Sequence, residues 1–234
     1  MIEFGHGTHA GLRRTRNEDT YYADAALGLF LVADGMGGHR YGEVAAAMVR
    51  DAVVERVSRR QSLPDAIHGT AAAMLEYARD QSLALPMGST VAALQLTGDS
   101  YVAAWVGDSR IYLWQRDTLR QIGHDHSLVK EMIDAGTLDP AHATRYPRRN
   151  VITQALGITA PENLQVGLSS GPLKAGMRFL LCSDGLVEDV TDPGIARIVT
   201  RNDLAAQECV DHLLLAALDG GGRDNVSCVL VRID

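Results

Sequence analysis

Short runs of branched and aromatic residues, each bounded by turn-forming residues, recur along this chain and indicate β-strands. Two of the connections between these runs, Gly98-Asp99 and Arg116-Asp117, are tight turns. Such turns predict antiparallel hairpins rather than strand–helix–strand crossovers. The predicted strands cover residues 27–33, 90–96, 101–106, 110–114, 178–182 and 226–233.

Three longer segments, residues 43–60, 63–82 and 204–218, are rich in Ala, Glu, Met and Arg, and their apolar residues have helical spacing. A shorter helix is predicted at 127–135. Strands and helices together predict an α+β layered domain, and the lack of a linker or repeat predicts one domain over 1–234. The polar segment 139–150, with two prolines, is expected to be a surface loop or flap.

The composition, 46% hydrophobic and 22% charged over 234 residues, is that of a soluble globular protein. No apolar run approaches the ~20 residues of a membrane span. Glu3 stands where a signal peptide carries positive charge, so we expect a cytoplasmic protein. Cys182, Cys209 and Cys228 lie in apolar stretches and are predicted to be buried, reduced thiols.

The formal net charge of −7 argues against a nucleic-acid partner, because such proteins carry a basic face that neutralises phosphates. The same charge is unusual for an enzyme that acts on phosphate, unless metal offsets part of it. Two divalent cations would offset four of the seven negative charges. The acidity of the chain is therefore compatible with a metal-dependent enzyme.

Acidic residues stand at five places where an apolar run meets a turn. Taken singly, each is explained by the preference of Asp, Asn and Gly for turns. Together they place carboxylates at the rims of buried strands, where charge is costly unless a cation compensates it. Oxygen ligands select Mg²⁺ or Mn²⁺ over zinc. The five sites are Asn17-Glu18-Asp19, Asp34-Gly35, Gly107-Asp108, Asp184-Gly185 and Asp224-Asn225.

Two such cations can hold a bridging water, lower its pKa and neutralise a bound phosphoryl group. This chemistry also needs a residue that holds the phosphate oxygens. Arg14 and Arg16 precede the first acidic cluster by a few residues, and a guanidinium can hold phosphate through two hydrogen bonds. Either arginine is a candidate on these grounds.

The order of these motifs resembles that of the metal-dependent protein phosphatases of the 2C type, in their compact bacterial form. The resemblance extends through nearly the whole chain, and the ordered set is far more specific than any single motif. The matching segments are GLRRTRNED (11–19), LFLVADGMGGH (29–39), GST (88–90), YVAAWVGDSRIY (101–112), DHSLV (125–129), RNVITQALG (149–157), LLCSDGLVE (180–188) and GRDNVSCVLV (222–231).

The resemblance implies a four-layer α-β-β-α sandwich, with two central antiparallel β-sheets flanked by helices, and hydrolysis of phosphoserine and phosphothreonine in proteins. It implies two Mn²⁺ or Mg²⁺ ions with a weaker third. Asp34, Asp184 and Asp224 match direct metal ligands, as does the Gly35 carbonyl.

The remaining matches concern residues around those ligands. Asp19 and Glu18 match an acidic pair that holds metal-bound waters. Asp108, together with Asp184, matches the aspartates of the third metal site. Arg14 matches the phosphate-binding arginine, which leaves Arg16 solvated, and Asn225 is expected to orient the turn of Asp224.

The chain departs from the family pattern at Met36. Members from higher organisms usually have histidine there, proposed as the acid that protonates the leaving oxygen. His39 is the nearest substitute, with a structural or substrate-contact role as its alternative, and a metal-bound water could also supply the proton.

By analogy with compact bacterial relatives, the expected partners are phosphoserine and phosphothreonine proteins and a cognate serine/threonine kinase. A phosphoserine regulator of an anti-sigma-type switch is a second candidate. The chain shows no long exposed apolar stripe, and we expect a monomer.

Four other functions fit the sequence less well. Gly107-Asp108-Ser109 could indicate a serine hydrolase with Ser109 as nucleophile, and His124-Asp125 a histidine–aspartate phosphohydrolase, but both lack the partner residues that they need. A catalytically degenerate phosphatase that only binds or senses a partner would be expected to have lost ligands, and here all are present. No cysteine has the arginine spacing of a cysteine phosphatase.

Overall fold

The computed structural model describes residues 1–37, 41–80 and 87–234. The strands are β1 (Ile2–His9), β2 (Asp19–Asp24), β3 (Leu29–Met36), β4 (Gly88–Ser89), β5 (Val91–Thr97), β6 (Ser100–Val106), β7 (Arg110–Gln115), β8 (Thr118–Ile122), β9 (Gly167–Pro172), β10 (Arg178–Cys182) and β11 (Val226–Ile233). The α-helices are α1 (Tyr41–Ser58), α2 (Leu63–Asp80), α3 (Leu128–Asp134), α4 (Asp184–Asp189), α5 (Asp192–Val199) and α6 (Ala206–Gly220).

The strands form two antiparallel sheets. The first has the order β1-β11-β10-β7-β8, and the second has the order β2-β3-β5-β6-β9, with β4 paired to the end of β3. Strands β5 and β6 form a hairpin across Gly98-Asp99, and β7 and β8 form one across Arg116-Asp117. Both turns agree with the sequence prediction, although the second strand of the β7–β8 hairpin was not among the predicted strands.

Strand β3 is buried on both faces, which explains why its sequence is apolar without alternation. Phe30 and Val32 belong to the core between the two sheets, together with Phe179 of the opposite sheet. Leu31 points the other way and belongs to the core that includes Val49 of α1. Removing a buried ring such as that of Phe30 would cost about 3–5 kcal/mol.

Helices α4, α5 and α6 cover the outer face of the first sheet. Leu186, Ile195 and Leu213, one from each helix, share a buried cluster with Leu180 of β10 and Leu230 of β11. Helices α1 and α2 cover the outer face of the second sheet in the same way. The architecture is therefore the predicted four-layer α-β-β-α sandwich.

All predicted strands and long helices are present, and their described ends differ from the prediction by no more than three residues. Strands β1, β2, β4, β8 and β9 and helices α4 and α5 were not predicted. Strand β1 contains Gly5 and Gly7, and β9 has the sequence Gly-Leu-Ser-Ser-Gly-Pro, so neither contains an apolar run. The predicted flap 139–150 contains a short 3-10 helix at Pro140–Arg145, which Asp139 caps.

The predicted state of the cysteines agrees with the structure. Cys182, Cys209 and Cys228 are buried and form no disulfide with one another. None of the helices that the structure describes combines the length and the apolar character needed to cross a bilayer.

Candidate metal centre

Asp34 and Gly35 lie inside β3 and not at a turn, which corrects the sequence prediction for this pair. Asp34 is paired with Asp19 of β2, and Gly35 with Ser89 of β4. The backbone N–H of Asp34 donates to Thr90 Oγ1 over 3.0 Å. The strand continues through Asp-Gly because its backbone groups find partners on both sides.

The backbone of Gly35 is so closely packed that the position cannot take a side chain. A Cβ there would collide with the carbonyl oxygen of Gly42 in α1. The Gly35 N–H donates to the Glu18 carbonyl oxygen over 3.1 Å. Burial raises the pKa of the Glu18 carboxyl. Glu18, Asp34 and Gly35 line the same cavity.

Asp19 begins β2 and is 9% exposed. Its Oδ2 accepts a hydrogen bond of 2.7 Å from Ser183 Oγ, whereas its buried Oδ1 has no hydrogen-bond partner among the described residues. Burial raises the pKa of Asp19 to about 7, and the charges of Asp184 and Asp224 add to the rise. Asp19 is thus a buried carboxyl whose charged form is poorly compensated by the protein.

Asp184 is the first residue of α4, so it lies at a helix start rather than at a turn. The preceding strand β10 is buried, and the helix begins directly behind it, with Ser183 as the N-cap. Asp184 Oδ1 is buried and also lacks a hydrogen-bond partner among the described residues. Burial raises the pKa of Asp184 well above its usual range, and the nearby charges of Asp108 and Asp224 contribute. Burial likewise raises the pKa of Asp34.

Asp224 lies in the turn before β11 and is paired with Arg14. Arg14 Nη2 donates to Asp224 Oδ2 over 2.6 Å, and this hydrogen bond raises the pKa of Arg14. The Arg14 side chain is 55% exposed and that of Asp224 is 22% exposed. The predicted phosphate-binding residue and a predicted metal ligand are therefore in direct contact.

Asn225 ties the turn of Asp224 to the loop that carries Arg14. Its side-chain Nδ2 donates to the carbonyl oxygens of Ala10 and Arg16 over 2.9 and 2.8 Å. Its Oδ1 accepts the backbone N–H of Glu18 over 2.8 Å. The Asn225 amide thus fixes the chain on both sides of Arg14, a wider task than orienting the Asp224 turn alone.

Asp108 lies in the connection between β6 and β7. Burial raises its pKa to about 7, and the charge of Asp125 contributes. Asp108 and Asp184 line two neighbouring cavities, one of about 330 Å³ and one of about 560 Å³. The smaller cavity is the cleft in which most of the predicted site residues meet, although Asp19 does not line it. It is lined by Arg14, Glu18, Asp34, Gly35, Asp108, Asp184, Asp224 and Asn225, among others.

The residues of this cleft fit a divalent cation by their chemistry. The acidic side chains of the cleft offer only oxygen donors, which hard cations prefer. Asp19 and Asp184 each have one buried oxygen without a protein partner. Within the described ranges, however, no group of three His, Cys, Asp or Glu side chains converges closely enough to enclose an ion. One oxygen of Asp224 accepts a hydrogen bond from Arg14, and one oxygen of Asp19 accepts a hydrogen bond from Ser183. The carboxylate oxygens that could bind a metal therefore do not all point into the cleft.

The other candidate residues lie as follows. Ser109 is 2% exposed, and its hydroxyl lies 2.7 Å from Thr90 Oγ1, which gives no support to a nucleophilic role. Asp125 of the His124-Asp125 pair is bonded to Arg110. Met36 lines the cleft. His39 lies outside the described residues.

Some residues around the cleft had no predicted role. Ser183 bonds Asp19, and Thr90 supports the backbone of Asp34. Asn150, at the end of the flap, lines both cavities and donates to Glu188 over 2.8 Å. Thr90 and Asn150 lie within the motifs 88–90 and 149–157, but their contacts join segments far apart in sequence and could not be read from local pattern.

A family model described as Protein phosphatase 2C matches residues 6–219. The chain is 33% identical over 242 residues to the serine/threonine protein phosphatase PstP of Mycobacterium tuberculosis. That alignment covers 100% of this chain and 45% of the relative, so this chain spans about half the relative's length. It is also 33% identical over 238 residues to the protein phosphatase PhpP of Streptococcus pneumoniae, covering 97% of this chain and 96% of that one.

A solved structure has the same fold. It is the catalytic domain of the serine/threonine protein phosphatase PstP in complex with two manganese ions, and it superimposes with a TM-score of 0.87 at 32% identity. The match covers 100% of this chain and 99% of that one.

Proposed function

This chain belongs to the protein phosphatase 2C family, and we propose that it hydrolyses phosphoserine and phosphothreonine in proteins at a centre of two divalent cations. The observation that carries the proposal is the meeting of Asp34, Asp184, Asp224 and Arg14 at one cleft. These residues come from β3, the start of α4, the turn before β11 and the loop after β1. Local turn preference does not explain why they converge.

Asp34, Asp184 and Asp224 are the proposed direct ligands, with the Gly35 carbonyl oxygen as a further one. The unpartnered oxygen of Asp184 and the raised pKa of Asp34 support this role, since a cation would remove the cost of the buried charge. The two manganese ions in the PstP structure support Mn²⁺ as the ion. Mg²⁺ is an alternative of the same ligand chemistry.

Asp19 and Glu18 are proposed to act through water. The free oxygen of Asp19 and its fixed hydrogen bond from Ser183 support a residue that orients water. Asp108, together with Asp184, is proposed to hold a weaker third cation, because both line the two adjoining cavities.

When bound, two divalent cations supply an activated water and offset the charge of the phosphoryl group. Arg14 donates one hydrogen bond to Asp224 and retains other N–H groups, with which it would hold phosphate oxygens. Asn225 keeps the loop of Arg14 against the turn of Asp224. His39 and water in the cleft are the two candidates for the proton donor to the leaving oxygen, and a structural or substrate-contact role is the alternative for His39.

We also propose that residues 1–234 form one domain, which acts as a monomer in the cytoplasm. The relative PstP is named a serine/threonine protein phosphatase, which supports serine/threonine phosphoproteins as substrates. Proteins phosphorylated by a cognate serine/threonine kinase are the proposed targets.

The test is hydrolysis of phosphoserine and phosphothreonine peptides by the purified chain, with Mn²⁺, with Mg²⁺ and with EDTA. We expect phosphate release with Mn²⁺ and none with EDTA. The Ser109→Ala variant should keep its metal-dependent activity. Activity that survives EDTA, or that Ser109→Ala abolishes, would contradict the proposal, and peptide binding without hydrolysis would favour a degenerate phosphatase.

A further inference from the structure

Asp189, the last residue of α4, is a buried acidic residue outside the cleft lining. Its side chain is 1% exposed. Oδ2 accepts the backbone N–H of Arg223 over 3.2 Å, and the Arg223 Nε lies 3.5 Å from Oδ1. Oδ1 forms no hydrogen bond with the described residues. Asp189 therefore contacts both the backbone and the side chain of the residue next to Asp224.

A carboxylate at this position is costly for folding. A buried charge is favourable only if it is paired and hydrogen bonded, and here Oδ1 has the Arg223 Nε at 3.5 Å but no hydrogen bond with the described residues. Replacing it with an apolar residue would remove that cost. An apolar residue, however, could not make the contacts of the carboxylate with Arg223.

This contact joins two segments that carry proposed metal ligands. Helix α4 has only six residues, with Asp184 at its start and Asp189 at its end. The turn held by Asp189 runs from the end of α6 to Asp224. Asp184 and Asp224 are thus connected by a short helix and one side-chain contact, in addition to the pairing of β10 with β11 and the hydrogen bonds between Ser183 and Ser227.

The opposite side of the same turn is held by backbone. The N–H of Leu12 donates to the Gly222 carbonyl oxygen over 2.7 Å. Gly11, with φ of +77°, packs so closely that a Cβ would collide with the Asp224 carbonyl oxygen. The turn therefore lies between the loop after β1 and the carboxylate of Asp189.

We propose that Asp189 is a positioning residue for the metal centre: through the backbone of Arg223 it fixes Asp224 relative to Asp184. The inference rests on the proposed function of Asp184 and Asp224 as metal ligands. Asp189 itself contacts neither cation nor substrate in this account. Its removal should therefore weaken metal binding and leave the chemistry at saturating metal intact.

The test is calorimetric titration of the metal-free full chain with MnCl₂, well below the unfolding temperature of each variant. Asp189→Ala is expected to weaken Mn²⁺ binding about tenfold, the lower range for losing a residue that orients a metal ligand. Asp189→Asn keeps an acceptor for the Arg223 N–H and should have a smaller effect. At saturating Mn²⁺, kcat of either variant should stay within about twofold of the wild type.

Asp24→Ala is the matched control. Asp24 also holds a tight turn, because its Oδ1 accepts the backbone N–H groups of Ala26 and Leu27 over 2.7 and 3.0 Å. That turn, between β2 and β3, carries no proposed ligand. Asp24→Ala should lower the unfolding temperature and leave the Mn²⁺ affinity unchanged.

Weaker Mn²⁺ binding in Asp189→Ala but not in Asp24→Ala would support the inference. Equal Mn²⁺ binding by wild type and Asp189→Ala would overturn it and leave the proposed function intact. Equal weakening by both variants would overturn it as well, since general destabilisation would then suffice. If Asp189→Ala fails to fold, the same comparison is made with Asp189→Leu, which also lacks an acceptor for the Arg223 N–H, and unchanged affinity in that variant overturns the inference. A wild type that binds no Mn²⁺ would instead refute the proposed metal centre.

Discussion

Two clusters of charged side chains lie side by side in this molecule, and the protein balances only one of them. In the first, Arg110 donates to both oxygens of Asp125 over 2.7 to 3.1 Å. Gln121 donates to Asp125 over 2.7 Å, and Arg110 also donates to the Tyr112 hydroxyl oxygen. Burial alone would lower the pKa of Arg110, but the hydrogen bonds to Asp125 outweigh it and raise the pKa.

The second cluster consists of Asp19, Asp34, Asp108 and Asp184. Burial raises the pKa of each of these carboxyls, and neighbouring carboxylates add to the rise. Asp108 and Asp184 line the same 560 Å³ cavity as Arg110 and Asp125. The clusters thus share an environment and differ in whether counter-charges are built into the chain.

The difference indicates that buried charges compensated by the protein stabilise the fold, whereas buried charges that lack a counter-charge serve the activity. The Arg110–Asp125 pair is satisfied, so removing one partner should destabilise the fold. The carboxylates of the aspartate cluster repel one another until a cation binds. Removing one of them should therefore lower the activity without lowering the free energy of unfolding. The two clusters are therefore expected to respond to mutation in opposite ways.

The largest expected effect is on activity in the aspartate cluster. Asp184→Asn should lower kcat/KM for a phosphothreonine peptide by on the order of 10²- to 10³-fold, the range for losing one charge-stabilising group. Steady-state assays at saturating Mn²⁺ measure this. Asp203→Asn, at an exposed residue paired with Arg201, is the control and should stay within about twofold. A fall of less than about tenfold in Asp184→Asn would contradict the role of Asp184.

Arg14→Ala should have the next largest effect, because it removes the cation that is proposed to hold the phosphate. A hydrogen bond to a charged group contributes about 1.5–3 kcal/mol, so kcat/KM should fall roughly 10- to 100-fold. The control is Arg16→Ala, whose side chain was predicted to be solvated. An equal fall of kcat/KM in the two variants would contradict the assignment of Arg14 as the phosphate-binding residue.

The satisfied cluster should respond in stability. The side chains of Arg110 and Asp125 are 26% and 18% exposed, so Asp125→Ala should lower the free energy of unfolding by about 1–3 kcal/mol, less than for a fully buried pair. Denaturant unfolding measures this. The double variant Arg110→Met/Asp125→Leu should lose less than the sum of the single changes. Strict additivity would show that the two side chains do not act as a pair.

Sequence pattern was informative where it reflects local physics. The apolar run of β3 and the order of the Asp-containing motifs predicted the core strand and the residues that meet in the cleft. The sequence pattern wrongly placed Asp34 and Asp184 at turns. Asp34 lies within a strand and Asp184 at a helix start, because the pairing of β3 with β2 and β4 and the start of α4 after Ser183 depend on distant segments. Asp189 and Ser183 carry no local signal, since their partners lie more than thirty residues away.

The smallest expected effect is on the pH dependence of stability. The pKa of Asp19 and of Asp108 is about 7 in the folded, metal-free chain and about 4 in an unfolded one. Because the folded state holds these protons more tightly, their contribution to stability is complete below about pH 4 and is lost as the pH rises through about 7. Mn²⁺ should therefore raise the unfolding temperature by more at about pH 8 than at about pH 6. An equal rise at both values would contradict this coupling.

The contrast between the two clusters is tested most directly by thermal unfolding of the wild type and Asp34→Asn at neutral pH, each with EDTA and with Mn²⁺. With EDTA, Asp34→Asn should be at least as stable as the wild type, because a neutral amide replaces a buried carboxyl whose charged form the protein does not compensate. Mn²⁺ should raise the unfolding temperature of the wild type and have little effect on the variant. A variant that is less stable without metal, or that gains as much from Mn²⁺ as the wild type, would contradict the account.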